Sequence, residues 1–308
     1  MKTISFSEIL NLNINPLECV SWAKNAIIHK NDFVLPPKIS IKFNEGSCFY
    51  NTMPSMLPAS DIFGLKLVSR LPERKPSLKA DILLYKASTG ELLAHMDGTW
   101  ITTWRTGAVA ALTVNALKSS TTKQYSFVGL GNTARATLLC LNAVNSHKEM
   151  QIGIFAYKNQ HEDFIQRFSS FENLHFTVYT DLREMFRNSE VIVSCITAAD
   201  GLLAEESDFK PGTLIVPVHT RGFQNCDLAF DRIFCDDIGH IKDFKYFNQY
   251  KSVTEMTDVL NNEKFIRNDN ERLLAYNIGV STQDIFFASK IYQMIESKEE
   301  ILEQKFWV

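Results

Sequence analysis

The fold of the chain is decided by residues Tyr125 to Asn145, which read Y-S-F-V-G-L-G-N-T-A-R-A-T-L-L-C-L-N-A-V-N. The apolar run from Tyr125 to Leu130 has the length and composition of a buried strand, and a helical pattern follows two glycines at its end. Glycines let the backbone approach a pyrophosphate, and a helix N-terminus offers unpaired N–H groups and the positive end of a dipole. The residues expected to cradle the phosphates are Gly129, Gly131, Asn132, Thr133 and Ala134. A match to G-x-G-x-x-G/A between a strand and a helix predicts a dinucleotide-binding turn, with a glycine turn that binds no ligand as the alternative.

The segments around this turn predict two kinds of structure. From Gln124 to about residue 265, short apolar runs alternate with helical patterns, which is typical of a parallel, doubly wound sheet. The residues before about 115 predict a separate mixed α/β domain, with an early helix from Pro16 to His29 and a strand at Ile39–Phe43 that alternates at period two. The strand-rich pattern continues at Ser47–Tyr50, Phe63–Ser69, Ala80–Tyr85 and Leu92–His95. A long final helix begins at Thr282 and is expected to pack back on this first domain. We therefore predict an α/β fold with a Rossmann domain at 118–281, inserted into a mixed α/β domain formed by 1–117 and completed by 282–308.

Composition excludes several functional classes. The 308 residues are 45% hydrophobic and 22% charged, with a net charge of -3, so nothing favours binding to nucleic acid or to an anionic membrane. No apolar run reaches the length of a membrane span. The six cysteines form no C-x-x-C pair and no metal-ligand spacing with histidine. We expect a reduced cytoplasmic protein without disulfides, structural zinc or a membrane segment.

Three basic residues of the first domain lie beside small or turn residues. Lys66 lies in F-G-L-K-L-V, Arg105 in T-T-W-R-T-G, and Lys38 in P-P-K-I-S-I. A cation at a helix start opposes the helix dipole, so Arg105 must gain another interaction there. An arginine fork suits a carboxylate, to which it can donate two parallel hydrogen bonds. Taken alone, these residues could equally be surface charges.

The order of the short motifs resembles the ornithine cyclodeaminase/mu-crystallin family of NAD(P)-dependent proteins. The resemblance runs from about residue 36 to the C-terminal helix. The motifs that carry it are Met56-Leu-Pro-Ala59, Gly64-Leu-Lys66, Thr89-Gly90, Asp97-Gly98, Thr102 with Arg105-Thr106, Gly129-Leu-Gly131, Asp181–Ile196, Lys210-Pro-Gly212 and the Gly279/Asp284 pair. It implies that the first domain binds the substrate and forms a homodimer.

The resemblance also implies roles for individual positions. Lys66 would lie by the reacting carbon and polarise the substrate, and Arg105 would hold the substrate carboxylate, with Gly107 where the family usually has alanine. Lys38 stands nearest to a second carboxylate-binding arginine of the family, but a lysine there keeps the charge without the fork. The further positions implied to contact the dinucleotide are Thr106, Tyr157, Lys158, Thr197, Val218 and Gly279, with Asp284 in the segment that closes over the nicotinamide.

One departure from the family concerns the acid/base residue. The family's cyclodeaminases carry an aspartate shortly after the strand that here is Leu214–Val218, whereas this chain reads V-H-T-R-G-F-Q-N-C-D-L. His219 titrates near neutral pH when unperturbed and could donate a proton in its place, or it could be a histidine without a chemical role. Arg221 could bind a second acidic group of the substrate or lie on the surface.

The second departure concerns the ribose. A chain that prefers NAD usually has Asp or Glu at the end of the second strand, where this chain has Tyr157-Lys158-Asn159. Lys158 and Arg135 could face a 2′-phosphate, so NADP(H) is favoured over NAD(H), with a solvated Lys158 as the alternative.

The preferred function is an NAD(P)H-dependent oxidoreductase that acts on a small imine, ketimine or amino acid with a carboxylate. Ornithine cyclodeaminase, which forms proline and ammonia with recycled NAD, is the first alternative, weakened by the missing carboxylate. A non-catalytic NADP(H)-binding protein, as in the mu-crystallin branch, is the second.

Overall fold

The computed structural model describes residues 1–196, 199, 201–219, 222–262 and 265–306. Contacts divide the chain into a first unit, Met1–Arg105 with Val280–Val308, and a second unit, Thr106–Gly279. The predicted domain boundary after residue 117 lies later than this division, which falls inside one continuous helix, Thr99–Leu117. The architecture is α/β, as the sequence predicts, with a parallel sheet in the second unit.

The first unit is built on a mixed sheet. Its strands are β1 (Lys2–Ile4), β2 (Ile39–Phe43), β3 (Cys48–Leu57), β4 (Ile62–Arg70), β5 (Leu78–Lys86) and β6 (Leu92–Asp97). They lie in the order β1-β6-β5-β4-β3-β2, and all neighbours are antiparallel except β1 and β6. The sequence predicts a strand within each of β2 to β6, at period two for β2, but no strand at β1, whose three residues are too few to show a period.

Three helices precede the parallel sheet, and the second of them follows ordinary capping rules. They are α1 (Phe6–Leu10), α2 (Pro16–Ile28) and α3 (Thr99–Leu117). Asn15 caps α2 by accepting a hydrogen bond from the Glu18 amide, and Pro16 occupies the first helical position, where it loses no intrahelical bond. The predicted helix from Pro16 to His29 is thus confirmed to within one residue.

The second unit is a parallel sheet with helical connections. Its elements are β7 (Gln124–Val128), α4 (Asn132–Val144), β8 (Met150–Phe155), α5 (Gln160–Arg167), β9 (Leu174–Tyr179), α6 (Leu182–Asn188), β10 (Val191–Ser194), β11 (Leu214–Pro217), β12 (Arg232–Cys235), β13 (Val253–Glu255), α7 (Met256–Asn261) and β14 (Leu273–Tyr276). The strand order is β13-β12-β14-β11-β10-β7-β8-β9. The chain therefore turns to opposite sides of β7, and the crevice at such a switch point is where open α/β sheets bind ligands.

The expectation that the alternating pattern ends near residue 265 is wrong. Strand β14 lies beyond it and enters the sheet between β11 and β12. Its four residues, Leu-Leu-Ala-Tyr, are all buried. Length alone does not explain why the sequence predicts no strand here, because β10, β11 and β12 also have four residues.

The last helix, α8 (Ser281–Phe306), packs against α2 and against β3 and β4 of the first sheet. The Phe287 ring meets the Trp22 ring edge-on, with 5.3 Å between centroids. A Cβ atom at Gly64 would lie 2.7 Å from Cδ1 of Ile285, so the glycine allows the helix to approach the sheet closely. Among the described residues, no helix combines the length and the apolar character needed to cross a membrane.

Candidate active site

Lys66 lies in a row of apolar side chains. The register of the sheet places it between Met53 and Ile82, with Met96 next in the row, and all four side chains are buried. Gly64 stands two residues earlier on the same face, where it admits α8. The G-x-K element therefore has a physical basis, because the glycine lets α8 pack closely on the sheet and the lysine side chain contacts that helix.

The first turn of α8 supplies the partner of this lysine. Nζ of Lys66 lies 2.5 Å from Oδ2 of Asp284, and Nε of Arg105 lies 2.8 Å from Oδ1 of the same carboxylate. The three side chains are 1%, 6% and 0% exposed, so the whole cluster is withdrawn from water. A carboxylate at a helix N-terminus is also stabilised by the helix dipole. The first unit thus brings together both cations that the sequence proposed, around one aspartate.

The electrostatics of the cluster leave an excess of positive charge. Burial lowers the pKa of the Lys66 ammonium to about 8, with the Asp284 carboxylate opposing that shift and Arg105 and Lys38 adding to it. Two buried cations share one carboxylate, and Lys38, which is exposed, acts on Lys66 through its charge. A buried site with net positive charge attracts an anion, and a small carboxylate fits that need.

Gln283 lies beside Arg105. Its Oε1 atom accepts a long hydrogen bond of 3.5 Å from Nη1 of Arg105. Its Nε2 atom is buried and has no acceptor among the described residues. Buried polar groups are nearly always hydrogen-bonded, so this amide has donor capacity that the described residues do not use.

In the second unit, the glycine turn has the geometry that a pyrophosphate needs. Gly129 adopts a φ of 79°, and a Cβ atom there would lie 2.8 Å from the Cys195 and Ile196 backbone. Nothing lies within 4 Å of the Cβ position of Gly131, which precedes the first turn of α4 (Asn132, Thr133, Ala134). The N–H groups of that turn have no partners within the helix. These residues fit a dinucleotide phosphate.

Two basic residues, Lys158 and Arg135, are the ones that the sequence proposes for a ribose 2′-phosphate. Lys158 follows β8 with a φ of 46°, and its Nζ lies 5.0 Å from the centre of the exposed Tyr157 ring. Arg135, in α4, donates a 3.4 Å hydrogen bond to Oδ1 of Asn132. Burial and the nearby charge of Arg167 lower the pKa of the Arg135 guanidinium. The side chains available to a ribose substituent here are therefore basic.

His219 lies just beyond the end of β11, half-buried. Its Nε2 atom lies 2.6 Å from Oγ of Ser194, which is fully buried on β10. Its ring also stacks on Phe223 at 6.4 Å between centroids. The Val218 amide donates to the Ser194 carbonyl at 3.0 Å and continues the sheet. The imidazole is thus oriented by a hydroxyl and an aromatic ring.

The structure describes two of the remaining positions that were predicted to contact the cofactor, Gly279 and Thr106. The amide of Gly279, with a φ of 90°, donates to the Asp236 carboxylate, so that N–H is already engaged. Thr106 is a half-buried residue of α3 and the first of the second unit. Thr197 and Arg221 lie outside the described residues.

The aspartate that a cyclodeaminase would use has no evident substitute. The first carboxylate after β11 is Asp227. It is buried, and its two oxygens accept hydrogen bonds of 2.6 Å from the hydroxyls of Tyr250 and Tyr276. Both oxygens of Asp227 are thus engaged by tyrosine hydroxyls. Within the described ranges, no cluster of His, Cys, Asp or Glu could hold a metal ion.

The sequence alone did not reveal the roles of Asp284 and Gln283. The stretch Ser281-Thr-Gln-Asp284 resembles the polar first turn of an ordinary exposed helix, yet all four residues are buried. The one available signal is that a lysine and an arginine, if they are buried, require a carboxylate partner.

Comparison with known proteins gives a consistent result. The family model described as the ornithine cyclodeaminase/mu-crystallin family matches residues 7–299. A Delta(1)-pyrroline-2-carboxylate reductase of Bacillus thuringiensis subsp. konkukian is 23% identical over 318 residues, covering 95% of this chain and 96% of its own.

Two solved structures share the fold. The Delta(1)-pyrroline-2-carboxylate reductase of Thermococcus litoralis, in complex with NADH and L-proline, has a TM-score of 0.85 at 21% identity and covers 97% of this chain and 98% of its own. An archaeal alanine dehydrogenase dimer with bound NAD has a TM-score of 0.82 at 20% identity and covers 97% of both chains.

Proposed function

Because the chain belongs to the ornithine cyclodeaminase/mu-crystallin family, we propose that it is an NAD(P)H-dependent oxidoreductase of a small imine, ketimine or amino acid with a carboxylate. The observation that carries the proposal is the buried Lys66–Asp284–Arg105 cluster, whose net positive charge suits one carboxylate. The relatives named above reduce or bind substrates of this class, which supports the choice.

The chain's own residues have distinct tasks in the reductive direction. Arg105 binds the substrate carboxylate, and Lys66 donates a hydrogen bond that polarises the reacting group. The reduced nicotinamide, when bound, supplies the hydride. His219, oriented by Ser194, or a water molecule gives the nitrogen its proton. Lys38 and Arg221 are the proposed additional contacts to substrate anions.

The dinucleotide is held by the second unit in this proposal. Its pyrophosphate lies on Gly129, Gly131 and the first turn of α4, and the other expected contacts are Thr106, Tyr157, Lys158, Thr197, Val218 and Gly279. The basic side chains of Lys158 and Arg135 support a preference for NADP(H) over NAD(H). No carboxylate stands at the end of β8 to accept from a ribose 2′-hydroxyl.

The test begins with fluorescence titrations of NADH and NADPH. The tighter cofactor is then used to screen cyclic imines, 2-oxo acids with amines, and amino acids. Replacement of Arg105 by alanine should lower kcat/KM for the substrate found by on the order of 100-fold or more, because a positioned charge contact is lost. Dinucleotide binding should stay unchanged, and full activity of Arg105→Ala would refute the carboxylate contact.

Two other functions are less well supported. A cyclodeaminase needs a proton acceptor at the substrate amine, and Asp227 is engaged by two tyrosines. Conversion of ornithine into proline and ammonia with a catalytic amount of NAD would nevertheless establish the cyclodeaminase function. Dinucleotide binding without turnover of any compound in the panel would favour a non-catalytic NADP(H)-binding protein.

The proposal includes a homodimer in a reducing compartment such as the cytoplasm. The outer face of the first sheet is apolar on β2, where Ile39, Ile41 and Phe43 are exposed. All six cysteines are free thiols, in keeping with a reducing compartment.

A further inference from the structure

We propose that the first turn of α8 is part of the substrate site, with Asp284 as the positioning residue for Lys66 and Arg105, and Gln283 as a second hydrogen-bond donor to the substrate carboxylate. The inference deepens the proposed function and rests on it for the identity of the bound anion. Its basis is the set of contacts that these four side chains make within the first unit.

Asp284 fixes the two cations relative to each other. It uses Oδ2 for Nζ of Lys66 and Oδ1 for Nε of Arg105, so each oxygen has one partner. Without the carboxylate, two buried like charges would repel and move apart. The carboxylate itself is fully buried, so it orients the cations and does not face solvent.

The contact through Nε also orients the guanidinium. The Nε–H group of Arg105 donates its hydrogen bond to Asp284, and Nη1 donates to Gln283. Among the described residues, none accepts a hydrogen bond from Nη2. The edge formed by Nη1 and Nη2 is therefore the one presented to a ligand. A carboxylate can accept two parallel hydrogen bonds from that edge.

Gln283 stands at the same edge. Its Oε1 contacts Nη1 of Arg105, so its Nε2, on the same small amide group, lies close to the guanidinium. Nε2 is buried and has no acceptor among the described residues. A carboxylate on Arg105 would provide that acceptor, and burying it there would satisfy the amide and the guanidinium together.

The first test replaces Gln283 by methionine, which keeps the length of the side chain and removes the donor. Gln293→Met is the matched control, because Gln293 lies on the same helix but is exposed. The probes are L-proline and L-prolinamide, which lacks the carboxylate, titrated into protein saturated with the tighter dinucleotide, followed by every active compound of the screen. Loss of a hydrogen bond to a charged group should weaken L-proline binding by about 10-fold or more.

The pattern across variants and probes decides the matter. L-prolinamide binding and dinucleotide binding should not change in Gln283→Met, and Gln293→Met should behave as wild type for both probes. Equal affinities for L-proline in wild type and Gln283→Met would refute the donor role while leaving the proposed function standing. Wild-type protein that binds no carboxylate in the panel would refute the proposed function itself, and the inference with it.

The second test concerns Asp284 and uses the pH profile of kcat/KM. Polarisation by Lys66 needs its ammonium form, so activity should be present below about pH 8 and lost above it, given the pKa of about 8. The charged groups that act on Lys66 are Asp284, Arg105 and Lys38. Asp284→Asn removes the group that raises this pKa, so the alkaline limb should move to lower pH.

An aspartate that does not act on Lys66 would leave that limb in place, so an unmoved limb in Asp284→Asn would refute the positioning role. If Asp284→Asn does not fold, Asp284→Glu is measured in its place. It keeps the charge and displaces the carboxylate by one methylene, so the limb should stay near pH 8 while kcat falls about 10-fold or more. Wild-type kcat in Asp284→Glu would equally overturn the inference.

Discussion

Lys66 is stable in its apolar row because a carboxylate lies within hydrogen-bonding distance. Removal of one partner from a buried ion pair typically costs about 3–5 kcal/mol, since the other charge is left without compensation. Lys66, Arg105 and Asp284 are therefore coupled, and substitutions among them should be strongly non-additive. Burial lowers the pKa of the lysine to about 8, with Asp284 opposing that shift, so a small change of surroundings alters its charge.

His219 provides the first prediction at this scale. If it supplies the proton in the reductive direction, His219→Gln should lower kcat by roughly 100-fold or more, because a positioned general acid is lost. The glutamine can still hydrogen-bond to Ser194, so dinucleotide affinity should not change. Steady-state kinetics with the substrate found in the screen provide the measurement. If kcat is retained, water is the proton donor.

The second prediction concerns the basic side chains beyond β8. Lys158→Ala and Arg135→Ala should each lower the affinity for NADPH about 10-fold, because each removes a charged contact to the 2′-phosphate, and leave NADH affinity unchanged. Lys123→Ala is the control, since Lys123 is exposed at the opposite end of β7. Equal loss for NADH and NADPH would show that neither residue reads the phosphate.

At the residue scale, the sequence predicted the cations but not what holds them. G-L-K and W-R-T could be read as buried or as surface charges, because their partner is 218 positions away from Lys66. Two residues so far apart in sequence share no local pattern from which their contact could be predicted. The glycine turn was predictable, since all its determinants lie within a few residues of one another.

At the scale of elements, the close approach of α3 and α4 within the second unit depends on Gly107. A Cβ atom there would lie 2.6 Å from Cβ of Ala136 and 2.7 Å from the Thr137 amide nitrogen, so the backbone of α4 would have to move. Alanine is the better helix former by about 1 kcal/mol, yet overpacking a tight contact costs about 1–3 kcal/mol. Packing and propensity therefore oppose each other at this position.

We expect packing to dominate, so Gly107→Ala should lower the free energy of unfolding by about 1 kcal/mol, the overpacking cost less the gain in helix propensity. Denaturant titration monitored by circular dichroism would measure it. Gly201→Ala is the control, because its Cβ position has nothing within 4 Å. A Gly107→Ala protein as stable as wild type would mean that α4 can shift without cost.

Elements were predictable where their period was long enough to read. The strand Ile39–Phe43 alternates at period two in sequence, and the helix at Pro16 has a cap and a proline at its start. Strand β14 has four buried residues and lies between β11 and β12, and the sequence does not predict it. The order of the strands comes from tertiary packing, which no local pattern encodes.

At the scale of the whole molecule, the first unit is assembled from both ends of the chain, Met1–Arg105 and Val280–Val308. Asp284 can therefore reach Lys66 and Arg105 only after the second unit's sequence has been made and α8 has returned to the first sheet. Truncation before α8 would remove the carboxylate of the cluster as well as the helix that covers β3 and β4. The substrate cluster and the folding of the first unit thus depend on the same helix.

The final prediction concerns association. On β2, Ile39 and Ile41 are 65% and 64% exposed, and the register continues this face through Tyr50 on β3. β2 is an edge strand, so its outer backbone groups are free to pair with another chain, and its apolar side chains face water. Such a surface promotes association, and a partner that covers it removes the apolar side chains from water. The outer face of the first sheet is accordingly the surface that we expect a second copy of the chain to cover.

Ile41→Lys should convert a dimer into a monomer, because it places a charge in the centre of the covered surface. Sedimentation velocity at micromolar concentration would measure the change, with dinucleotide binding expected to persist. Val178→Lys is the control, since Val178 is 42% exposed on β9, the edge strand of the other sheet, and should leave the dimer intact. A wild-type monomer, or an Ile41→Lys dimer, would exclude this face as the interface.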